Sequence, residues 1–387
     1  MFKGNKILSY FKGDRVIWMV IFVLTIISLL AVYSSTGMLA YKYQGGNTGY
    51  YILKHFMLLM VGLVTIYITH LIPYKFYAGF SHILLVVAIP LLLITLLMGA
   101  NLNEASRWLK IPGTGLTFQT SDIAKIALIL YLSKVLSTKQ EKLEDFKTVL
   151  WSLFGPIGLV CALILPANFS TAAMLFLVSM VLLFIGRVKI SHILAVCGLA
   201  AVVGGMFIVI KIAFGDPGRA LTWKSRIENF VSGESEGNYQ VEQSKIAIAT
   251  GGIIGKGPGN SDQRNYLPHP YSDFIYAIII EEYGLLGGIV ILFLYMYLLY
   301  RAGVIVRKSM YAFPAFLAVG LSFLLVLQAL INMAVAVNLM PVTGQTLPLV
   351  SMGGTSLIFT SFSLGIILSI SRSVKEYEEK FDTPNVA

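Results

Sequence analysis

The 387-residue chain is 57% hydrophobic and only 12% charged, whereas a soluble domain carries about 25% charged residues. That excludes an ordinary soluble enzyme. The formal net charge of +10 sits largely in short segments between apolar runs, which points to membrane orientation rather than to nucleic acid as a partner. Repeated apolar runs of about 20 residues predict an all-α polytopic membrane protein, and the period-two alternation of a membrane barrel is absent.

The first run, Val16 to Val32, follows Lys3, Lys6, Lys12 and Arg15. Its length predicts a retained transmembrane helix rather than a cleaved signal peptide. About ten transmembrane helices are predicted, over 16–36, 51–72, 76–99, 119–137, 148–165, 168–186, 189–213, 274–300, 312–337 and 346–371. Pro73, Gly186 and clusters of Lys and Arg mark the turns, and residues 1–387 read as one integral membrane domain. With the N-terminus inside, the inner loops hold Lys75, Lys139, Lys142, Lys147, Arg187, Lys189, Arg301, Arg307 and Lys308. The short outer loops hold Lys42, Arg107 and Lys110, so both termini are expected in the cytoplasm. Cys161 and Cys197 fall inside apolar runs and read as small core residues, and the five histidines lack metal-ligand spacing.

In NEASRWLKIPGTGLTFQTSDIAKIALIL, Asn101 to Leu130, Asp122 and Lys125 lie three apart and share one helix face at the outer end of the fourth helix. Such a pair is either a functional site or a structural ion pair. Arg107 is a surface cation that either holds an anion such as a diphosphate or anchors a headgroup.

The segment 214–273, between helices 7 and 8, is the one long non-membrane stretch and is expected outside. Trp223, Phe230, Tyr239 and the apolar run IAIATGGIIG predict an ordered cap over the bundle rather than a disordered loop. It ends in YLPHPYSDFIYAIIIEEYG, which places Asp273 where polar loop meets apolar helix. Asp273 reads either as a helix N-cap or as a general base at the membrane surface. Glu281 lies roughly 12 Å further along the helix and about 80° around it, too far for a tight acid pair. Glu281 and Glu282 are expected to pair with buried cations and lock the bundle.

The stretch NLMPVTGQTLPLVSMGGTSL, Asn338 to Leu357, breaks a helix repeatedly with Pro and Gly, which is tolerated at membrane depth where backbone lines a cavity. Ser351, Gly353 and Gly354 are placed to offer backbone N–H groups to a phosphate. The run Gly255 to Gly259 lacks the strand–turn–helix setting of a nucleotide loop.

Four stretches together resemble one family, the SEDS proteins of shape, elongation, division and sporulation, over nearly the whole chain. RWLKIPGTGLTFQTSDIAK is similar to the family's RW…FQPSE..K, with Asp122 where Glu is usual. YQVEQSKIAIATGGIIGKGPGNSDQ is similar to its Gln- and Gly-rich loop, YLPHPYSDF to YLPEAHTDF, and MPVTGQTLPLVSMGGTS to P.TG..LPF.SYGGSS. Two departures stand out: Asn168 replaces the acid of the family's Pro-Asp-x-Gly-Thr, and His269-Pro270-Tyr271-Ser272 replaces Glu-Ala-His-Thr.

The resemblance implies a peptidoglycan glycosyltransferase that polymerises lipid II beside a class B penicillin-binding protein and other divisome or elongasome membrane proteins. It assigns the family's essential Asp to Asp273, and its overall impression leans towards the division branch. A hydroxyl attacking a sugar C1 that bears diphosphate needs a base and cations, not a second carboxylate. Candidate cations are Arg107, Lys125, Arg226, Lys245, Lys256 and Arg264, with Gln240 and Gln243 as further substrate contacts. A divalent Mg or Mn ion suits a diphosphate, although no ligand cluster in the sequence fixes one, and no organic cofactor is expected. A lipid II flippase and a non-catalytic scaffold are the competing classes.

Overall fold

A computed structural model of the chain describes residues 11–98, 100–102, 105–110, 117–214, 226, 228, 230 and 239–381. The helices run α1 (Arg15–Ser35), α2 (Gly37–Gln44), α3 (Thr48–Leu71), α4 (Tyr74–Met98), α5 (Thr120–Thr138) and α6 (Phe146–Ile164). They continue with α7 (Phe169–Ile185), α8 (Ile190–Phe214), α9 (Tyr239–Gly251), α10 (Ile275–Lys308), α11 (Ala312–Ala336) and α12 (Thr355–Phe381). Among the described residues, seven helices are long and apolar enough to cross a membrane, with α7 and the Ile190–Met206 part of α8 as shorter apolar stretches. This is a multi-pass helical membrane protein. α5 completes the predicted ten; Asp122 and Lys125 in its first turns interrupt its apolar character.

The helix ends pair by chemistry. At the end where α1 begins, Asp14 caps α1 through Val16 N (2.8 Å) and takes Arg301 Nε of α10 at 3.0 Å. Lys375 Nζ of α12 donates to Gly13 O (2.6 Å) and Arg372 to Leu71 O (3.0 Å), tying α12 to α1 and α3. α12 and α3 run close because Gly365 faces Thr69: an added Cβ there would lie 2.6 Å from Thr69 Cβ. Small residues allow such approach where helices pack in lipid.

At the opposite end three features depart from the predicted helices. A three-stranded antiparallel sheet, β1 (Ala100–Leu102), β2 (Ala105–Lys110) and β3 (Thr117–Gln119), lies between α4 and α5, with Trp108 opposite Gln119. The last helix starts at Thr355, not near 346, because Pro341 and Pro348 cannot sustain the helical ladder and Leu349 adopts φ 63°. Within the predicted loop, α9 replaces irregular chain and packs against α10.

A further departure is a break inside α10. Gly284 adopts φ 69°, and a Cβ there would meet Ile253 O at 2.1 Å. Breaking the helix frees backbone groups, which must find partners away from water. The segment after α9 supplies them. Lys256 N and Gly257 N donate to the carbonyls of Glu281 and Glu282, both at 2.9 Å, while Leu285 N donates to Gly252 O at 2.9 Å. The loop therefore threads into the kink.

Candidate active site

Between the sheet, α5, α11, the segment before α10 and the segment before α12 lies a cavity of about 370 Å³. That is within the range of small-molecule sites. Its carboxylates are Asp122 and Asp273, its cation is Lys125, and its amides are Asn168, Gln328 and Gln345. Trp108, His269 and Tyr271 form aromatic wall, and Gly353 and Gly354 line another side.

Asp273 is only half-buried, and its side chain accepts from Ser272 Oγ at 2.9 Å. It does not cap α10. The helix begins at Ile275, and its cap residue is Phe274, whose side chain makes no capping bond. The capping reading of Asp273 is thereby corrected: one residue of non-helical chain separates it from the helix, and its carboxylate instead faces the cavity. Its backbone is held from outside. Asn332 Nδ2 donates both to Asp273 O (2.9 Å) and to Gln345 O (2.7 Å), clamping the two strands of irregular chain that flank the acid.

A second cluster forms the inner wall. Lys125 Nζ lies 2.8 Å from Asp122 Oδ1, one turn apart, with both side chains almost wholly buried. Lys125 also donates to Gln328 Oε1 at 3.4 Å, and Gln328 Nε2 donates to Thr346 O at 2.9 Å. The expected Asp122–Lys125 ion pair is therefore present and opens onto the same cavity as Asp273. Asn168, where the family has an acid, caps α7 through Thr171 N (3.3 Å), and Gln345 Nε2 donates to Thr171 Oγ1 at 2.8 Å. An amide performs that capping as well as a carboxylate does.

Ser351 is buried behind the cavity wall rather than in it: its hydroxyl donates to Ser272 O (2.6 Å) and accepts from Leu347 N (2.8 Å). Arg226 donates to Val342 O at 2.9 Å. Burial pushes its pKa down while the charge of Asp273 pulls it up, so this guanidinium senses the acid. Arg107 lies on β2 next to Trp108.

The remaining predicted contacts are not brought to the cavity. Lys256 Nζ lies 2.7 Å from Glu281 and 2.8 Å from Asp262, and these bonds, Asp262 first, raise its pKa. Arg264 donates to Ser34 O at 3.3 Å and to its hydroxyl, which in turn donates to Glu282. Lys245 is exposed on α9, and Gln240 and Gln243 are half-buried on the same helix. Glu281 and Glu282 are expected to pair with buried cations and lock the bundle, and Glu282 does tie α10 to Ser34 of α1. Glu281 instead collects the loop: it accepts from Lys256, Ser261 Oγ (2.5 Å), Asp262 N (3.1 Å) and Gln263 N (3.2 Å). The loop folds back onto α10 and brings its own donors, which no local spacing announces.

The arrangement matches one known family along almost the whole chain. The family model described as cell cycle protein, covering FtsW, RodA and SpoVE, matches residues 14–376. The chain belongs to this family. A relative from Geobacter sp. (strain M18), named "Probable peptidoglycan glycosyltransferase FtsW", is 31% identical over 94% of this chain and 97% of its own. One of the same name from Coxiella burnetii is 32% identical over 92% of this chain and 95% of its own. Among solved structures, Thermus thermophilus RodA superposes with a TM-score of 0.66 at 21% identity, covering 93% of this chain and 97% of RodA. A chain of a solved peptidoglycan synthase complex superposes with a TM-score of 0.69 at 23% identity, covering 94% of this chain and 98% of that one. At these identities the two structures speak for the family's fold.

Sequence reading missed Gln328, Asn332, Gln345 and Trp108. A signal existed for two of them: Gln328 and Asn332 stand four apart, hence on one face, inside the otherwise apolar α11. Polar residues at that depth are costly unless they face a partner or a cavity.

Proposed function

We propose that this chain is a peptidoglycan glycosyltransferase of cell division that polymerises lipid II by inverting transfer and releases undecaprenyl diphosphate. The observation that carries the reading is the placement of Asp273. It is a half-buried carboxylate on the wall of a polar cavity at one end of an apolar bundle, opposite the buried cation Lys125. A lipid-linked sugar needs that boundary, since its headgroup is in water and its tail in hydrocarbon.

In the proposed reaction the 4-hydroxyl of one disaccharide attacks C1 of another. Its proton passes to the Asp273 carboxylate as the O4–C1 bond forms. The bond from C1 to the diphosphate oxygen breaks, and the diphosphate leaves with the electron pair. Lys125, Arg226 and Arg107 are assigned to stabilising that negative charge. Magnesium or manganese near a diphosphate is bound through one or two carboxylates together with phosphate oxygens. With Asp273 committed to the proton, such an ion would be held by the unpartnered Oδ2 of Asp122 together with phosphate oxygens and would offset diphosphate charge, and no step above depends on it.

The bacterial inner membrane is the proposed location, with both termini cytoplasmic and the cavity on the outer face. The distribution of Lys and Arg supports this orientation. The assigned partners are lipid II, a class B penicillin-binding protein and other divisome membrane proteins; the peptidoglycan synthase complex that superposes on the chain supports an assembly of that kind.

Purified protein with a class B penicillin-binding protein and lipid II tests the reading. Glycan chains on a gel support it. Lipid II crossing vesicle bilayers without polymer identifies a flippase, and neither activity identifies a scaffold. A fluorescent fusion at the septum supports division, and one along the side wall supports elongation.

A further inference from the structure

The irregular segment ahead of α12 is held from behind by a buried polar chain that the reaction does not touch. Ser28 of α1, His55 of α3 and Val350 are each 0% exposed. Ser28 Oγ lies 2.7 Å from His55 Nε2 and 2.8 Å from Val350 O. A hydroxyl has one proton, and a carbonyl can only accept. Ser28 therefore donates to Val350 O and receives the Nε2–H of His55. This fixes the tautomer, with the proton on Nε2 and a bare lone pair on Nδ1, which is buried and has no partner. A Leu at position 55 would avoid that unsatisfied atom, so the histidine has a use that outweighs it.

The use lies one residue further on. Ser351 donates to Ser272 O at 2.6 Å, and Met352 N donates to Tyr271 O at 2.9 Å. The backbone just before Asp273 thus hangs on residues 351 and 352, and these follow the carbonyl that Ser28 holds. Tyr295 of α10, fully buried, adds a bond from its hydroxyl to Pro348 O. We propose that His55, through Ser28 and the Val350 carbonyl, is a positioning residue that sets where the Asp273 carboxylate stands in the cavity. It touches no substrate. The proposal rests on the glycosyltransferase reading for its consequence but not for its geometry.

Misplacing a catalytic group by about 1 Å costs on the order of 10²-fold in rate. His55→Leu removes the donor and frees the Ser28 hydroxyl to turn away from Val350. A fall in kcat of roughly ten- to a hundredfold follows, with KM for lipid II within about twofold. Ser28→Ala gives the same loss, and the double variant is no worse than either single one, because they form one relay. His55→Gln places an amide N–H near the Nε2 position and restores kcat to within about threefold.

The test measures these kinetics together with hydrogen exchange of peptides spanning 268–275 and 345–354. Faster exchange at both peptides in His55→Leu and Ser28→Ala, reversed in His55→Gln, is expected. Unchanged exchange, additive losses, or a Gln variant as poor as Leu overturns the relay. Wild-type polymerisation and its loss in Asp273→Asn test the underlying reading separately, and the exchange rates decide the relay whichever way that falls. Should His55→Leu fail to fold, Ser28→Ala, which deletes a single oxygen, carries the same comparison.

Discussion

Removing either member of the Asp122–Lys125 pair leaves a charge stranded inside the bundle. The charged atoms are 2.8 Å apart and the side chains are only 4% and 8% exposed. At an effective dielectric of about 20, that separation corresponds to about 6 kcal/mol of attraction, part of which is offset by desolvation. Lys125→Met therefore destabilises the fold by about 3–5 kcal/mol, because it leaves the buried Asp122 without its partner. Asp122 Oδ2 already lacks a hydrogen-bond partner, so nothing else nearby relieves it. Asp122→Asn is expected to cost a similar amount. The double variant loses both charges and recovers about 2 kcal/mol or more relative to the sum. Reversible unfolding of purified protein in detergent, followed across the four-member cycle, reads the coupling. Additive losses refute the pairing.

Gly284→Ala puts a Cβ at 2.1 Å from Ile253 O at a φ of 69°, so a loss of about 4 kcal/mol or more, or failure to accumulate in membranes, is expected on quantitative blotting. Lys256 is raised above its ordinary value of 10.5 and Asp262 lowered below 3.8. The Asp262 contribution is present above the unfolded carboxylate value and lost as pH falls through its lower folded value. The Lys256 contribution is present below 10.5 and lost as pH rises through its higher folded value. Loop proteolysis is thus flat between the ordinary values of 3.8 and 10.5 and accelerates below and above them in wild type, and Lys256→Met removes both limbs, since Lys256 is what lowers Asp262. In a background without Cys161 and Cys197, Asn265→Cys reacts with an impermeant thiol reagent in spheroplasts and Met310→Cys does not; the reverse pattern overturns the orientation.

The membrane helices were legible because length and hydropathy are local properties, and every predicted span up to 312–337 overlaps an observed helix. The start of α12 was less so. Pro348, Gly353 and Gly354 signal an interruption without saying where it ends, and only the bonds of Ser351 and Met352 to Ser272 and Tyr271 show that the chain stays irregular until 355. At the site, Asp273 and Lys125 were legible as charges where charges are expensive. The destinations of Lys256 and Arg264 were not. Both belong to a loop that folds back into the kink at Gly284, and the contact from Lys256 to Glu281 spans a turn whose path no periodicity encodes. Asn332 was hidden for another reason: its value lies in bridging two carbonyls, Asp273 O and Gln345 O, from different segments.

The central claim is that Asp273 takes the proton from the attacking hydroxyl. Asp273→Asn removes the acceptor while keeping the size of the side chain and the Asn332 bond, which goes to the backbone. Losing a general base costs about 10²–10⁴ in rate. Wild-type and Asp273→Asn protein, both monodisperse and bound to the same penicillin-binding protein, are given lipid II and scored for glycan chains. Loss of polymer by at least about a hundredfold in a folded, partner-binding variant is the predicted result. Polymerisation by Asp273→Asn at near the wild-type rate would contradict the account.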